Sequence, residues 1–243
     1  MTTKLEKAIS YYNTTTADTY ADNMNAIFRK VYQYMALGLI LTAITAYYVA
    51  SSQAALNLFF SSSAPLLIVA IAEIVLVLAL RVMLEKISTM TALIMFCAYS
   101  ILNGILCSSI LLVYTKESIY SAFFTTAAMF TAMSIYGLFT QRDLSSMGSI
   151  LRMALFGLLA ALIINLFMNS AAFDYLISIA GVVIFAGLTA YDTATIKALA
   201  TGVNIEDSTV TGRVAIVGAL ELYLDFINMF IYLLRIMGKF KDR

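Results

Sequence analysis

The sequence predicts an all-α polytopic membrane protein with seven transmembrane helices, the C-terminal helix central. Three observations carry this. Of 243 residues, 62% are hydrophobic and only 12% charged, and the mean hydropathy of +0.90 lies outside the range of soluble domains. The apolar residues fall into seven segments, each near the roughly 20 residues that cross a hydrocarbon core of about 30 Å. The last segment, 214–237, is long enough to span, yet it carries Glu221, Asp225, Asn228, Tyr232 and Arg235. Their spacing of four, three, four and three sets them on one stripe of a helix. Ionised side chains at mid-membrane cost roughly 2.5–3.5 kcal/mol each on insertion scales. That stripe must face protein or water, so the other helices are expected to pack around it.

Three parts follow. Residues 1–30 read as a polar cytoplasmic leader, 31–237 as the seven-helix transmembrane domain and 238–243 as a short basic tail. The leader lacks the apolar run and cleavage site of a signal peptide, so the first span, 31–50, is expected to act as the insertion signal. An uncharged loop, 51–64, precedes the second helix. Pro65, the only proline, fits its first turn. That helix runs to about Leu84 and holds Glu73 and Arg81. The third covers 89–114, with Asn103 in its middle, and the fourth 119–140. The loop 141–149 offers Asp143, Ser145 and Ser146 as caps for the fifth, which ends near Met168 and contains Asn165. The sixth covers 172–197, and the polar connection 201–213 leads into the seventh. Asn103 and Asn165 read as interhelical hydrogen-bonding residues.

Several function classes drop out. A net charge of +1 without a basic stripe gives nucleic acid no footprint. Histidine is absent, which removes the usual metal ligand and the usual titrating group near neutrality. Cys97 and Cys107 lie about 15 Å apart on one helix by its rise, too far to bridge, and read as packing residues. Lys4, Lys7, Arg29, Lys30, Arg81, Lys86, Arg142, Arg152, Lys197 and Arg213 lie in or near the leader and the loops after helices two, four and six, against Lys116 alone on the other side. This places the N-terminus in the cytoplasm. The basic tail then emerges outside if the last segment spans, and inside if it is re-entrant.

The carboxylates are placed by the last hairpin. Counting from a turn centred near Ser208, Asp192 lies sixteen residues back and Asp225 seventeen forward, so an antiparallel pair brings them to one depth. Two carboxyls held away from bulk water cannot both ionise cheaply. They are expected to share a proton, titrate as a unit and sense pH; the bland alternative has Asp192 merely closing the helix end. Helix two supplies counter-charges. Arg81 can approach the aspartates or simply snorkel to the interface, and Glu73 is expected to meet Arg235 in an outer ion pair. Glu221, one turn from Asp225, either lines an exit or meets water.

The segments GLTAYDTATIK, 187–197, and ALELYLDFINMFIYLLR, 219–235, together resemble the signature of the Bax-inhibitor family. The similarity extends from the leader through the Thr140–Ser145 loop and the hydropathy plan. The resemblance implies a seven-helix fold with the last helix central and, for bacterial members, a pH-sensitive calcium leak in the cytoplasmic membrane. It maps the family's aspartate pair onto Asp192 and Asp225, and its outer pair onto Glu73 and Arg235. Arg81 and Lys86 flank the place of the family's basic latch.

Calcium also suits the residues, since a hard cation takes oxygen ligands. Asp192 and Asp225, with Asn228 in support, are the candidate calcium-contacting groups, the ion being transported cargo with no cofactor implied. The expected partners are the lipid bilayer, calcium ions and protons. In the expected mechanism a protonated or latched pair holds helices two, six and seven together, and deprotonation or a helix shift opens a cation path. Two other classes stay open: a regulatory membrane protein that modulates a membrane protease or a stress response through a membrane protein partner, and a proton-coupled cation antiporter. No catalytic residue is assigned. Tyr191-Asp192 resembles half of an intramembrane aspartyl protease motif, but Leu222-Tyr-Leu-Asp225 lacks both glycines of the other half.

Overall fold

The computed structural model describes the backbone of residues 2–83, 86–202 and 208–241, and the side chains of residues 22–83, 86–201 and 210–241. Among the described residues, eight helices follow in order: α1 (Thr2–Ser51), α2 (Gln53–Phe60), α3 (Ser63–Met83), α4 (Thr89–Val113), α5 (Lys116–Phe139), α6 (Ser145–Met168), α7 (Ala171–Gly202) and α8 (Ser208–Met237). Among the described residues, seven stretches are long and apolar enough to cross a membrane; α2, with eight residues, is not one of them. The all-α architecture is the one expected.

Local chemistry sets the boundaries. Ser52, Ser88 and Thr115 cap α2, α4 and α5, each accepting a hydrogen bond from a backbone N–H three residues on. Asn169 ends α6 in the left-handed region (φ 49°), which asparagine tolerates better than most side chains. Basic side chains tie off helix C-termini. Lys197 Nζ donates to the Leu138 carbonyl at the end of α5 (2.8 Å), and Lys241 Nζ to Leu111 near the end of α4 (2.6 Å). Arg213 reaches the Ile87 carbonyl before α4 at 2.9 Å.

Helix α1 is continuous across residue 30: its stretch Asp22–Ser51 can span, and Ile27 and Phe28 are buried in the core. Lys4 and Lys7 have side chains outside the described residues. One expectation needs correction: the stretch 51–64 is not a plain loop but holds α2, nucleated by the Ser52 cap on an uncharged, largely apolar run. Leu84, residues 203–207 of the last connection, and Arg243 lie outside the described residues. Cys97 and Cys107 are free thiols.

Helix α8 is the most enclosed span, 61% of its most apolar stretch being buried against 6% for α6 and 17% for α3. It packs on α1, α4, α5 and α7. On one face Tyr223 is completely buried, edge-on to Phe96 and Tyr99. Thr42 donates to the Ser100 carbonyl (2.9 Å), so the Tyr223 hydroxyl, 2.6 Å away, donates to Thr42. Small residues allow the close approaches: a Cβ at Gly137 would strike the Ala190 carbonyl, and one at Gly181 the Tyr232 ring.

At about 1.5 Å per residue α8 is about 45 Å long. It runs without a break and is long and apolar enough to span. The tail beyond it is pinned to the α4–α5 turn. Thr115 N–H donates to the Lys239 carbonyl (3.0 Å), Lys241 N–H to Val113 (2.9 Å), and Lys239 N–H to Ser118 Oγ (2.9 Å). Phe240 stacks on Tyr114 at 5.2 Å.

Candidate functional site

Helices α3, α6, α7 and α8 each turn one stripe toward a shared cavity of about 530 Å³. From α8 come Glu221, Leu224, Asp225, Asn228 and Tyr232, and from α7 Phe185, Leu188, Tyr191 and Asp192. From α6 come Arg152, Leu155, Leu159 and Leu162, and from α3 Val77 and Arg81. These spacings of three and four are those of single helix faces. The charged groups gather at one end of the cavity and the apolar walls at the other.

Asp192 and Asp225 meet there, within hydrogen-bond reach of each other. Thr189 also lies within reach of Asp225, and its hydroxyl donates to the Phe185 carbonyl at 2.8 Å. Asp225 is 3% exposed, and its Oδ2 has no protein partner. Glu221 faces Asp192 and Asp225, while the guanidiniums of Arg81 and Arg152 face Asp192 and Glu221 across the cavity. Neither arginine forms a direct ion pair with these carboxyls. Three carboxyls thus stand against two guanidiniums around the cavity. Asn228 ties its amide N–H to its own helix at Leu224 (2.8 Å), which leaves its side-chain oxygen available as an acceptor.

A second cavity of about 540 Å³ lies between α3, α4 and α8, toward the pinned tail. Val77, Leu224 and Asn228 line both, and so form the partition between them. Glu73 and Arg235 both line the second cavity, yet the expected pair between them is not made. Glu73 is buried and accepts from Asn103 Nδ2 at 2.6 Å, with Tyr99 also in contact. Arg235 pairs instead with Asp174, in the first turn of α7, at 3.3 Å, and lies over the Tyr232 ring. The physical reason is burial: Glu73 is satisfied by neutral donors inside, while Arg235 turns to a carboxylate at the wetter rim. Asn103 bonds across helices as expected. Asn165 does not; its oxygen accepts from the Ser170 backbone and closes the α6–α7 turn (3.2 Å).

Arg152 and Asp174 were not singled out by the sequence. Arg152 reads there as one more interfacial charge, although its spacing to Leu155, Leu159 and Leu162 puts it on the cavity stripe. Outside the spans, Asp143 accepts from the Ser145 N–H at 2.9 Å. The hydroxyl of Ser145, and then its N–H, hold the Asp143 carboxyl below the usual carboxylate range.

Comparison with known proteins bears on the whole of this architecture. A family model described as "Inhibitor of apoptosis-promoting Bax1" matches residues 24–242. The chain is 44% identical over 209 residues to the inner membrane protein YbhL of Escherichia coli, which covers 86% of this chain and 89% of that protein. It is 42% identical over 215 residues to an uncharacterized protein of Borreliella burgdorferi, 88% of this chain and 92% of that one. It is 40% identical over 226 residues to the uncharacterized protein YrjE of Lactococcus lactis, with 91% and 94% covered. A match from the start of the first span to the pinned tail makes this chain an integral membrane protein of the Bax-inhibitor family.

Proposed function

We propose that the protein is a pH-sensitive calcium leak channel of a bacterial inner membrane, gated by the proton that Asp192 and Asp225 share. The observation that carries the reading is the cavity in which these two carboxyls and Glu221 meet Arg81 and Arg152 within the membrane-spanning region. Charged groups at that depth are costly and are retained where they line an ion or proton path. With one proton the cavity is neutral and the two aspartates cross-link α7 to α8. Without it the cross-link becomes a repulsion, and a divalent cation can take the proton's place between the oxygens. Calcium is the cargo that fits, because the donors on offer are carboxylates and the Asn228 oxygen.

The path runs from the carboxyl cavity through the partition of Val77, Leu224 and Asn228 into the Glu73 cavity, and opens when α3 moves away from α8. Leader-side connections rich in Lys and Arg favour the cytoplasm for the N-terminus, and the relationship to YbhL favours the inner membrane. The protein acts as a conduit and performs no covalent chemistry. Calcium-dye flux in liposomes holding the purified protein, scanned over pH beside Asp192→Asn/Asp225→Asn, tests the reading. Parent flux that varies with pH, flattened in the double variant, is the expected result. Absence of flux at every pH turns the assignment to a regulatory membrane interaction protein, and uphill calcium transport under an imposed pH gradient to an antiporter.

A further inference from the structure

We infer that Arg152 is a positioning residue that clasps α6 against the carboxyl cavity, making α6 a movable wall opposite α3. This rests on the proposed reading of the cavity and adds a second moving part to it.

The weak hold on α6 comes first. It is the least buried span, and α7 is its principal packing partner. Among its residues only Gly148 and Leu158 are buried, and a Cβ added at Gly157 would meet no atom within 4 Å. The attachment is concentrated in one turn. Gly148 has no side chain, and a Cβ there would overlap the Tyr191 ring, so its absence lets α6 lie directly on α7. One turn on, the Arg152 guanidinium lies 5.3 Å from the centre of the same ring. Tyr191 is thus held between a glycine and an arginine of α6, and its neighbour is Asp192.

Charge makes the clasp directional. Arg152 lies two turns inside a long, apolar and little-buried span, where an unpaired guanidinium is costly. The carboxyls of Asp192 and Glu221 are what it faces across the cavity. Leaving the ring would expose that charge to hydrocarbon, whereas staying holds Leu155, Leu159 and Leu162 over the cavity as its apolar wall. When Arg152 lets go, the wall swings out and the cavity opens sideways between α6 and α3.

The chain contains no tryptophan, so Leu155→Trp supplies a single reporter on the cavity wall. Purified protein carrying Leu155→Trp is compared with the same protein bearing Arg152→Gln or Arg152→Lys. Emission, its quenching by acrylamide and calcium-dye flux are read at one fixed pH. Expected are a red-shifted, roughly twofold more quenchable reporter and a raised flux in Arg152→Gln, both returned toward the parent by Arg152→Lys, which restores a cation over the ring. Tyr191→Leu, which removes the ring and leaves the charge, is expected to loosen the reporter as Arg152→Gln does; it also decides the matter if Arg152→Gln fails to fold. A reporter unchanged in every variant overturns the clasp. A reporter that moves while no variant and no parent passes calcium upholds the clasp and overturns the leak reading instead.

Discussion

Asp225→Asn tests the proton proposed to be shared by the two aspartates. On that reading one proton holds Asp225 against Asp192 in the parent. The variant puts an amide donor in the proton's place, so its contact with Asp192 persists at every pH. On loss of the proton in the parent, two full charges at close range repel by about 4 kcal/mol at an effective dielectric constant of about 20. That exceeds the roughly 0.5–2 kcal/mol of a cation–π contact such as Arg152 on Tyr191, so the repulsion decides the state of the cavity. A one-proton switch changes the open-to-closed ratio by at most about tenfold per pH unit, equivalent to about 1.4 kcal/mol. Calcium-dye flux from liposomes, measured from about pH 5 to about pH 8, is therefore expected to rise with pH in the parent, by no more than that slope. In Asp225→Asn it is expected to stay at the low, protonated level throughout. Asp192→Asn is expected to give the same flat line. A variant that leaks with the parent's slope refutes the shared-proton argument, and a flat line for only one of the two refutes the pairing.

Other outcomes follow from packing and surface electrostatics. Gly137→Ala drives a methyl into the Ala190 carbonyl and is expected to lower stability in detergent unfolding by about 1–3 kcal/mol. Gly157→Ala, in open space, is expected to be neutral or to gain up to about 1 kcal/mol from helix propensity. A double-mutant cycle between Arg235 and Asp174, both partly exposed, should show a coupling of about 0.2–1 kcal/mol, and the cycle between Arg235 and Glu73 none. Because hydrogen bonds from Ser145 hold Asp143 below its ordinary range, its contribution to stability is present above the unfolded-state value and is lost as pH falls through the folded one. An NMR titration of Asp143 should show the depressed value in the parent and a return toward the ordinary one in Ser145→Ala.

The spans were legible because the bilayer forces every backbone group into helix, leaving hydropathy as the dominant signal. The expected 89–114 and the observed Thr89–Val113 differ by one residue. The meeting of Asp192 with Asp225 was legible because a short hairpin fixes relative depth. Depth alone was not enough for Arg235. Glu73 and Asp174 lie toward the same end of the bundle, and rotation about the helix axis, set by packing, chose Asp174. Arg152 was hidden because a charge two turns inside a span looks the same, in sequence, whether it reaches for headgroups or for a buried acid. α2 was missed because a span-length criterion overlooks eight residues that begin with a good cap.

The enclosure of α8 carries a consequence for how the protein is made. Ribosomal synthesis delivers this helix after the other six spans, yet it is the most buried of them and packs on α1, α4, α5 and α7. Until it arrives, the groove it will fill is lined by Thr42 and Asp192, polar groups whose α8 partners Tyr223 and Asp225 are not yet in the membrane. The nascent six-span chain must therefore keep a hydrophilic furrow shielded from acyl chains, and insertion of α8 closes it. Lys239 and Lys241, beyond α8, then bond to the turn at 113–118.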